Sequence, residues 1–292
     1  MRLACMAVAF PPTNRPSTAY SCAVVDRLSE SDADARQNPA KNVAAPIVFV
    51  ATPMAGGMAT GEYIAALAQT AIICLRNGLG VLYMYRQNDS IIASARNHLA
   101  HQFLESQATH LMWIDADIGF NPIDIVSMVI ADQDIVCGVY PKKGIDWRRV
   151  AQAVRDGVPS EELKSHVGSF VVHLTDDITE NNSADDLAKS DGLVEIAAGG
   201  TGFMMIKRGV FEALSDEVPE YLVAGTRLKE FYANDIDAES SQFVSEDYYF
   251  CRLARSHGFK VYAAPWIHLT HTGTYVFDSQ LQPNWVELNT QR

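Results

Sequence analysis

The chain has 292 residues, 48% apolar and 20% charged, a balance that fits a folded globular protein and excludes a disordered or fibrous one. Its net charge of -12 repels phosphate backbones at long range, which excludes a generic nucleic-acid binder held by a broad basic surface and leaves only a local basic groove. Five widely spaced cysteines without a CxxC pair point to a reducing compartment, so a cytoplasmic location is expected. The longest apolar stretch, 63–75, is too short to cross a bilayer, and no stable membrane insertion is expected.

Residues 1–44 are rich in Pro, Ser, Asn, Asp and Arg, show no sustained period and read as a flexible N-terminal leader. From residue 45, β-rich and helical runs alternate: strand 47–51, helix 62–76, strand 80–85, helix 91–104, strand 110–114, helix 123–130 and strand 135–139. This series predicts an α/β fold, a single domain over 45–292 with a mostly parallel central sheet flanked by helices. In such sheets the ligand lies beyond the carboxyl ends of the strands. The second half reads as a helix near 147–155, a strand near 170–174, a polar loop over 175–191 and strands at 194–197 and 202–206. A short helix near 210–214, a polar link, a helix at 246–257, a strand at 260–263 and a tail with His268 and His271 complete it.

The sharpest local signal is Leu111-Met112-Trp113-Ile114-Asp115-Ala116-Asp117, an apolar strand that ends in two carboxylates two positions apart. In extended chain those positions share a face, so both carboxylates can approach one hard cation, Mn²⁺ or Mg²⁺, whose open positions accept diphosphate oxygens. A solvated turn is the alternative. On the preceding helix Arg96 offers a planar fork for phosphate, or pairs with a neighbouring carboxylate. Lys143, beside Lys142 at the end of a strand, faces a diphosphate or forms part of a solvated basic pair. Ser245-Glu246-Asp247 suits a helix start, and Asp247, with Glu246 as the alternative, suits a general base.

The order of these motifs resembles the GT-A glycosyltransferases of family 2: an Ala95-Arg96-Asn97 helix, a strand ending in Asp115-Ala116-Asp117, then a Glu246-Asp247 helix followed by Gly258, a strand and a histidine. Leu253 stands where that family often has an arginine, with Arg252 and Arg255 on either side. With Tyr140-Pro141-Lys142-Lys143 and His271-Thr272-Gly273-Thr274-Tyr275, the pattern looks most like glycosyltransferases encoded by tailed bacteriophages, which would make the location the host cytoplasm. The resemblance covers about 46–277 and implies a GT-A domain, with a nucleotide-sugar donor half over 45–141 and an acceptor half with C-terminal tail over 142–292.

It further implies a metal-dependent hexosyltransferase-like enzyme that moves a sugar from a nucleotide-diphosphate sugar, UDP above all, to an acceptor hydroxyl. The acceptor is a glycan, a protein or a modified DNA base. Asp117 becomes a metal ligand, Asp115 touches ribose or metal, and His271, with His268 as rival, is the third ligand. Thr52, Pro53 and Asp89 hold the nucleotide, and Gly200-Thr201-Gly202 lies beside the sugar. Two alternatives stand beside this reading: a sugar nucleotidyltransferase, which would want a basic residue absent from 54–61, and a non-catalytic carbohydrate-binding protein on the same fold.

Overall fold

The computed structural model describes residues 45–175 and 192–275; the expected leader at 1–44 and most of the expected polar loop lie outside them. The first half contains β1 (Ile47–Met54), α1 (Gly61–Arg76), β2 (Gly80–Gln87), α2 (Ile92–Glu105), β3 (His110–Ile114), β4 (Ile118–Gly119), α3 (Pro122–Ala131) and β5 (Ile135–Gly138). The second contains α4 (Trp147–Arg155), β6 (Val172–Leu174), β7 (Val194–Gly199), β8 (Phe203–Lys207) and α5 (Arg208–Leu214). Then follow β9 (Glu220–Val223), β10 (Thr226–Lys229), β11 (Asp235–Ile236), β12 (Phe243–Val244), α6 (Glu246–Ser256), β13 (Val261–Ala264) and β14 (Thr270–His271).

Eight strands form one sheet in the order β2-β1-β3-β8-β5-β13-β7-β6. β1 pairs in parallel with β2 and β3, and β13 with β5. β8 runs against both β3 and β5, while β7 runs against β13 and β6. Only β7 and β8 therefore oppose the common strand direction, so the sheet is mostly parallel with helices packed on it, an α/β fold. The expected βαβ series holds through β1, β2 and β3. The insertion of β8 between β3 and β5 comes from long-range pairing that local periodicity does not encode.

Helix starts follow the sequence closely. Thr60 caps α1, Asn121 with Pro122 opens α3, and Asp146 accepts the Arg148 and Arg149 N–H groups at the start of α4. At the far end of α2, the Arg208 guanidinium donates to the carbonyls of Phe103, Leu104, Ser106 and Ala108, satisfying acceptors that a helix terminus leaves open.

The core beneath the carboxyl end of β3 is aromatic. Trp113 meets Tyr232 edge-on at 5.5 Å and donates its indole N–H to the Tyr232 hydroxyl at 2.7 Å, while Tyr232 stacks on Phe250 of α6 at 4.8 Å. Burying each such ring contributes about 1.5–3 kcal/mol. Tyr232 belongs to the stretch expected as a polar link, which instead forms two short hairpins, β9/β10 and β11/β12. Its backbone is fixed by Asn97, whose amide accepts from the Tyr232 N–H and donates to its carbonyl, both at 2.9 Å. Cys74, Cys137 and Cys251 are buried and unpaired. Among the described residues no helix is long and apolar enough to cross a membrane.

Candidate functional site

The acidic element sits where the sheet opens. β3 ends at Ile114, and Asp115-Ala116-Asp117 then turns rather than continuing extended, with the Ile118 N–H donating to the Asp115 carbonyl at 3.0 Å. The expectation that both carboxylates share a face is corrected by this turn, which gives each carboxylate its own set of partners.

Asp115 faces inward. Its Oδ1 accepts from Arg96 Nη2 at 3.0 Å, and Arg96 Nε also donates to Glu246 Oε1 at 3.3 Å. The buried guanidinium lies 5.2 Å from the Trp113 ring centre. Burial lowers the Arg96 pKa, but the charges of Asp115 and Glu246 outweigh it and hold the group above its ordinary value. For Glu246 burial wins over the neighbouring arginine, so its pKa is raised. Arg96 is thus the internal partner of two carboxylates and not the open phosphate fork expected, because a buried cation must be paired. Its Nη1 is buried without a hydrogen-bond partner among the described residues.

Asp117 faces outward. Its Oδ2 pairs with Lys143 Nζ, and its Oδ1 lies 3.4 Å from His271 Nε2. The histidine is held by the β4/β14 ladder, which places His271 opposite Ile118, and by the Thr272 N–H donating to the Asp117 carbonyl at 2.9 Å. His268 is exposed and takes no part. Although burial raises the Asp117 pKa, hydrogen bonds and charge from His271 and Lys143 prevail and lower it. His271 Nδ1 lies 2.7 Å from the Pro141 carbonyl, which can only accept, so the neutral ring carries its proton there. The Nε2 lone pair then faces a carboxylate, an arrangement that calls for a proton or a cation between them. An imidazole nitrogen and a carboxylate oxygen, with the second ring nitrogen bonded to a backbone carbonyl, would offer two donors to a cation such as Mn²⁺, whereas Mg²⁺ prefers oxygen alone. No group of three His, Cys, Asp or Glu that could hold a metal occurs among the described residues, so Asp115 does not join them in this arrangement.

The Gly200-Thr201-Gly202 turn closes the wall beside Asp115. The Asp115 N–H donates to the Gly202 carbonyl at 3.0 Å, and the Gly202 N–H donates to the Tyr140 hydroxyl at 3.0 Å. A Cβ on Gly202 would stand 2.7 Å from that ring and 3.1 Å from Asp115 Oδ2, so the approach requires glycine. Thr201 is buried, and its hydroxyl has no partner among the described residues. Tyr140, which sequence reasoning left without a role, joins the parts: its ring meets His271 edge-on at 5.2 Å. Its pKa lies well above the ordinary value, through burial first and then the charges of Asp115 and Asp247.

At the start of α6, Ser245 does not cap the helix; its hydroxyl donates to Asp247 Oδ1, which also accepts from the Tyr248 N–H at 2.8 Å. Asp247 Oδ2 has no partner among the described residues. Glu246, one position earlier, turns into the interior toward Arg96.

Three of the expected nucleotide contacts have partners within the protein, and one of them, Thr52, lines a cavity of about 350 Å³ with Met54, Tyr63 and Gln87. β1 runs on to Met54, so Thr52 and Pro53 lie within a strand and are buried, and the Thr52 hydroxyl is bonded to Tyr63 of α1 at 2.7 Å. Pro53 is tolerated there because β3 pairs with β1 only as far as Ala51. Asp89 spends its carboxylate locally, accepting from Arg86, the Ile91 N–H and Ser94. Despite partial burial, these bonds lower its pKa.

No protein-family model matches the chain, and no curated protein matches it. Among solved structures, the chain resembles A197 from STIV at 17% identity and a TM-score of 0.43, over 78% of this chain and 86% of that one. It resembles GalNAc-T7, crystallised with UDP, GalNAc and Mn²⁺, at 11% identity and a TM-score of 0.39, covering 79% of this chain and 44% of that one. It also resembles the inositol-1-phosphate CTP transferase from T. maritima at 12% identity and a TM-score of 0.39, over 78% and 89% of the two chains.

Proposed function

We propose that the chain is a glycosyltransferase that uses a nucleotide-diphosphate sugar, UDP-linked by preference, with the diphosphate received at Asp117, Lys143 and His271. The observation that carries this reading is the convergence of Lys143 and His271 on Asp117, beyond the carboxyl end of β3. A cation held by Asp117 and His271 would offset the charge that develops on the departing diphosphate. Lys143 supplies a second positive charge to the same oxygens. Asp247, whose Oδ2 has no partner among the described residues, takes the proton of the acceptor hydroxyl as the hydroxyl oxygen bonds to the anomeric carbon and the bond to the diphosphate breaks. That single displacement inverts the sugar. Ser245 and the Tyr248 N–H hold Asp247 in place through its other oxygen.

Arg96 and Glu246 act as positioning residues, fixing the turn from below. The Gly200–Gly202 wall brings backbone close to where the sugar would lie. The test is release of UDP from a panel of UDP-sugars with Mn²⁺. Turnover that stops with a chelator and in Asp117→Ala supports the proposal, and turnover indifferent to both overturns its metal assignment.

A further inference from the structure

The basic residues of this acidic chain are unevenly matched. Outside 142–164, every described Lys and Arg except Arg76 lies within ion-pair distance of a carboxylate. Within that segment the order reverses. Lys143 pairs with Asp117, but Lys142, Arg148, Arg149, Arg155 and Lys164 have no carboxylate partner among the described residues. Over 142–155 the only acid is Asp146. A chain with a net charge of -12 thus keeps one locally positive region, where an anion would be drawn in.

Two of these unmatched cations, Lys142 and Arg149, line a cavity of about 270 Å³ together with residues 144–146, Gly168 and Ser169. The cavity borders the candidate site. Residues 140–142 and 169–171 run antiparallel, the Lys142 N–H donating to the Ser169 carbonyl at 2.8 Å and the Val171 N–H to the Tyr140 carbonyl at 3.0 Å. One residue further on, Lys143 meets Asp117, and on the other chain the Val171 carbonyl accepts from the Gly200 N–H at 3.4 Å. The same short ladder therefore ties the cavity to the acidic turn and to the Gly200–Gly202 wall.

The donors suit one kind of anion. Arg149 Nη1 donates to the Gly168 carbonyl at 2.7 Å, while its Nε and Nη2 have no partner among the described residues. That edge of a guanidinium makes two parallel bonds to an oxyanion. A carboxylate would be used up by it, whereas a phosphate has further oxygens for the Lys142 ammonium and the Ser169 hydroxyl. Asp146 is the opposing charge, and its Oδ1 is spent on the Arg148 and Arg149 N–H groups, so the two cations outweigh it.

We infer that this cavity holds a phosphate group of the acceptor, close to the hydroxyl that receives the sugar. The inference rests on the glycosyltransferase reading. Neighbouring residues then receive two different anions, Lys143 the donor diphosphate and Lys142 the acceptor phosphate. The phosphate itself is not altered in the transfer.

The test is calorimetry of the full chain with ribose 5-phosphate, a monoester, with thymidylyl-thymidine, a diester, and with ribose, each with and without saturating UDP and Mn²⁺. Binding of at least one phosphate compound is expected, with none for ribose and no displacement by UDP; which of the two binds tells a monoester acceptor from a diester one. Lys142→Gln and Arg149→Gln should each weaken binding at least about tenfold, as for loss of a charge-assisted hydrogen bond, and Lys143→Ala should leave it unchanged. If Arg149→Gln fails to fold for want of its bond to Gly168, Lys142→Gln decides, since its side chain has no partner among the described residues to lose. No binding of either phosphate compound overturns the inference, as does binding that UDP displaces and Lys142→Gln retains. Binding that emerges only when the acids of 176–191 are replaced by amides assigns the cations to that segment and also overturns it. UDP binding without phosphate binding sinks this site alone, whereas phosphate binding by a protein that does not bind UDP sinks the glycosyltransferase reading and the acceptor role with it.

Discussion

Two pairs of neighbouring carboxylates meet at this site, and each pair divides its labour in the same way. Asp115 and Glu246 point inward onto the buried Arg96, while Asp117 meets Lys143 and His271, and Asp247 has one oxygen without a partner among the described residues. The inward members tie β3 and α6 to α2. The outward members, Asp117 and Asp247, are not bound to that guanidinium, although Asp115 and Asp117 are similarly exposed, at 27 and 34%. An acidic motif in sequence is therefore not one functional unit: its members differ by which side of the chain they leave, and here a tight turn and a helix start make that division.

Substitutions that separate the inward from the outward carboxylates test this division. Asp247→Asn should lower the rate of sugar transfer about 10²- to 10⁴-fold with nucleotide binding retained, as expected for loss of a general base. Calorimetry of UDP binding beside turnover measures both, and an equal loss of the two would place Asp247 with the inward set. Arg96→Leu leaves the buried Glu246 and the partly exposed Asp115 without that partner and should cost about 3–5 kcal/mol of stability, read from urea unfolding; a loss under ~1 kcal/mol would mean that the inward cluster holds nothing together.

A smaller effect is expected at Asp89, whose carboxylate serves the start of α2. Asp89→Ala should cost about 1 kcal/mol. Because the folded pKa of Asp89 is lowered, its contribution is present above the ordinary aspartate range and is lost as pH falls through the folded value. The difference between native protein and variant should accordingly shrink in acid, and a constant difference would contradict the assignment. The smallest stability change is expected for Asp117→Asn, within about 1 kcal/mol, since its partners are partly exposed and screened.

Much of this was legible in the sequence. Each of the eight strands of the sheet overlaps an expected run, since alternating and continuous apolar segments bounded by turn residues carry the strand signal locally. The acidic turn, His271 and the Glu246-Asp247 helix were also visible as residue types in order. What could not be read is direction and depth. Whether Arg96 meets solvent or two carboxylates depends on Tyr232, Trp113 and α6 closing over it, contacts between segments more than a hundred residues apart. Tyr140 entered only as part of the Tyr140-Pro141-Lys142-Lys143 stretch, with no role of its own, because that role rests on the fit of Gly202 against its hydroxyl. The continuation of β1 through Thr52 and Pro53 is not legible because the β1–β2 ladder outlasts the apolar run that announces it.

The most direct test of the central claim is the thermal shift produced by UDP with and without Mn²⁺ in the native protein and in Asp117→Asn. A ligand that binds only the folded state raises its melting temperature. The outward site predicts a rise in the native protein that is larger with Mn²⁺ and absent in Asp117→Asn, whose own melting temperature stays close to native. An equal rise in both proteins, with or without the cation, would contradict it.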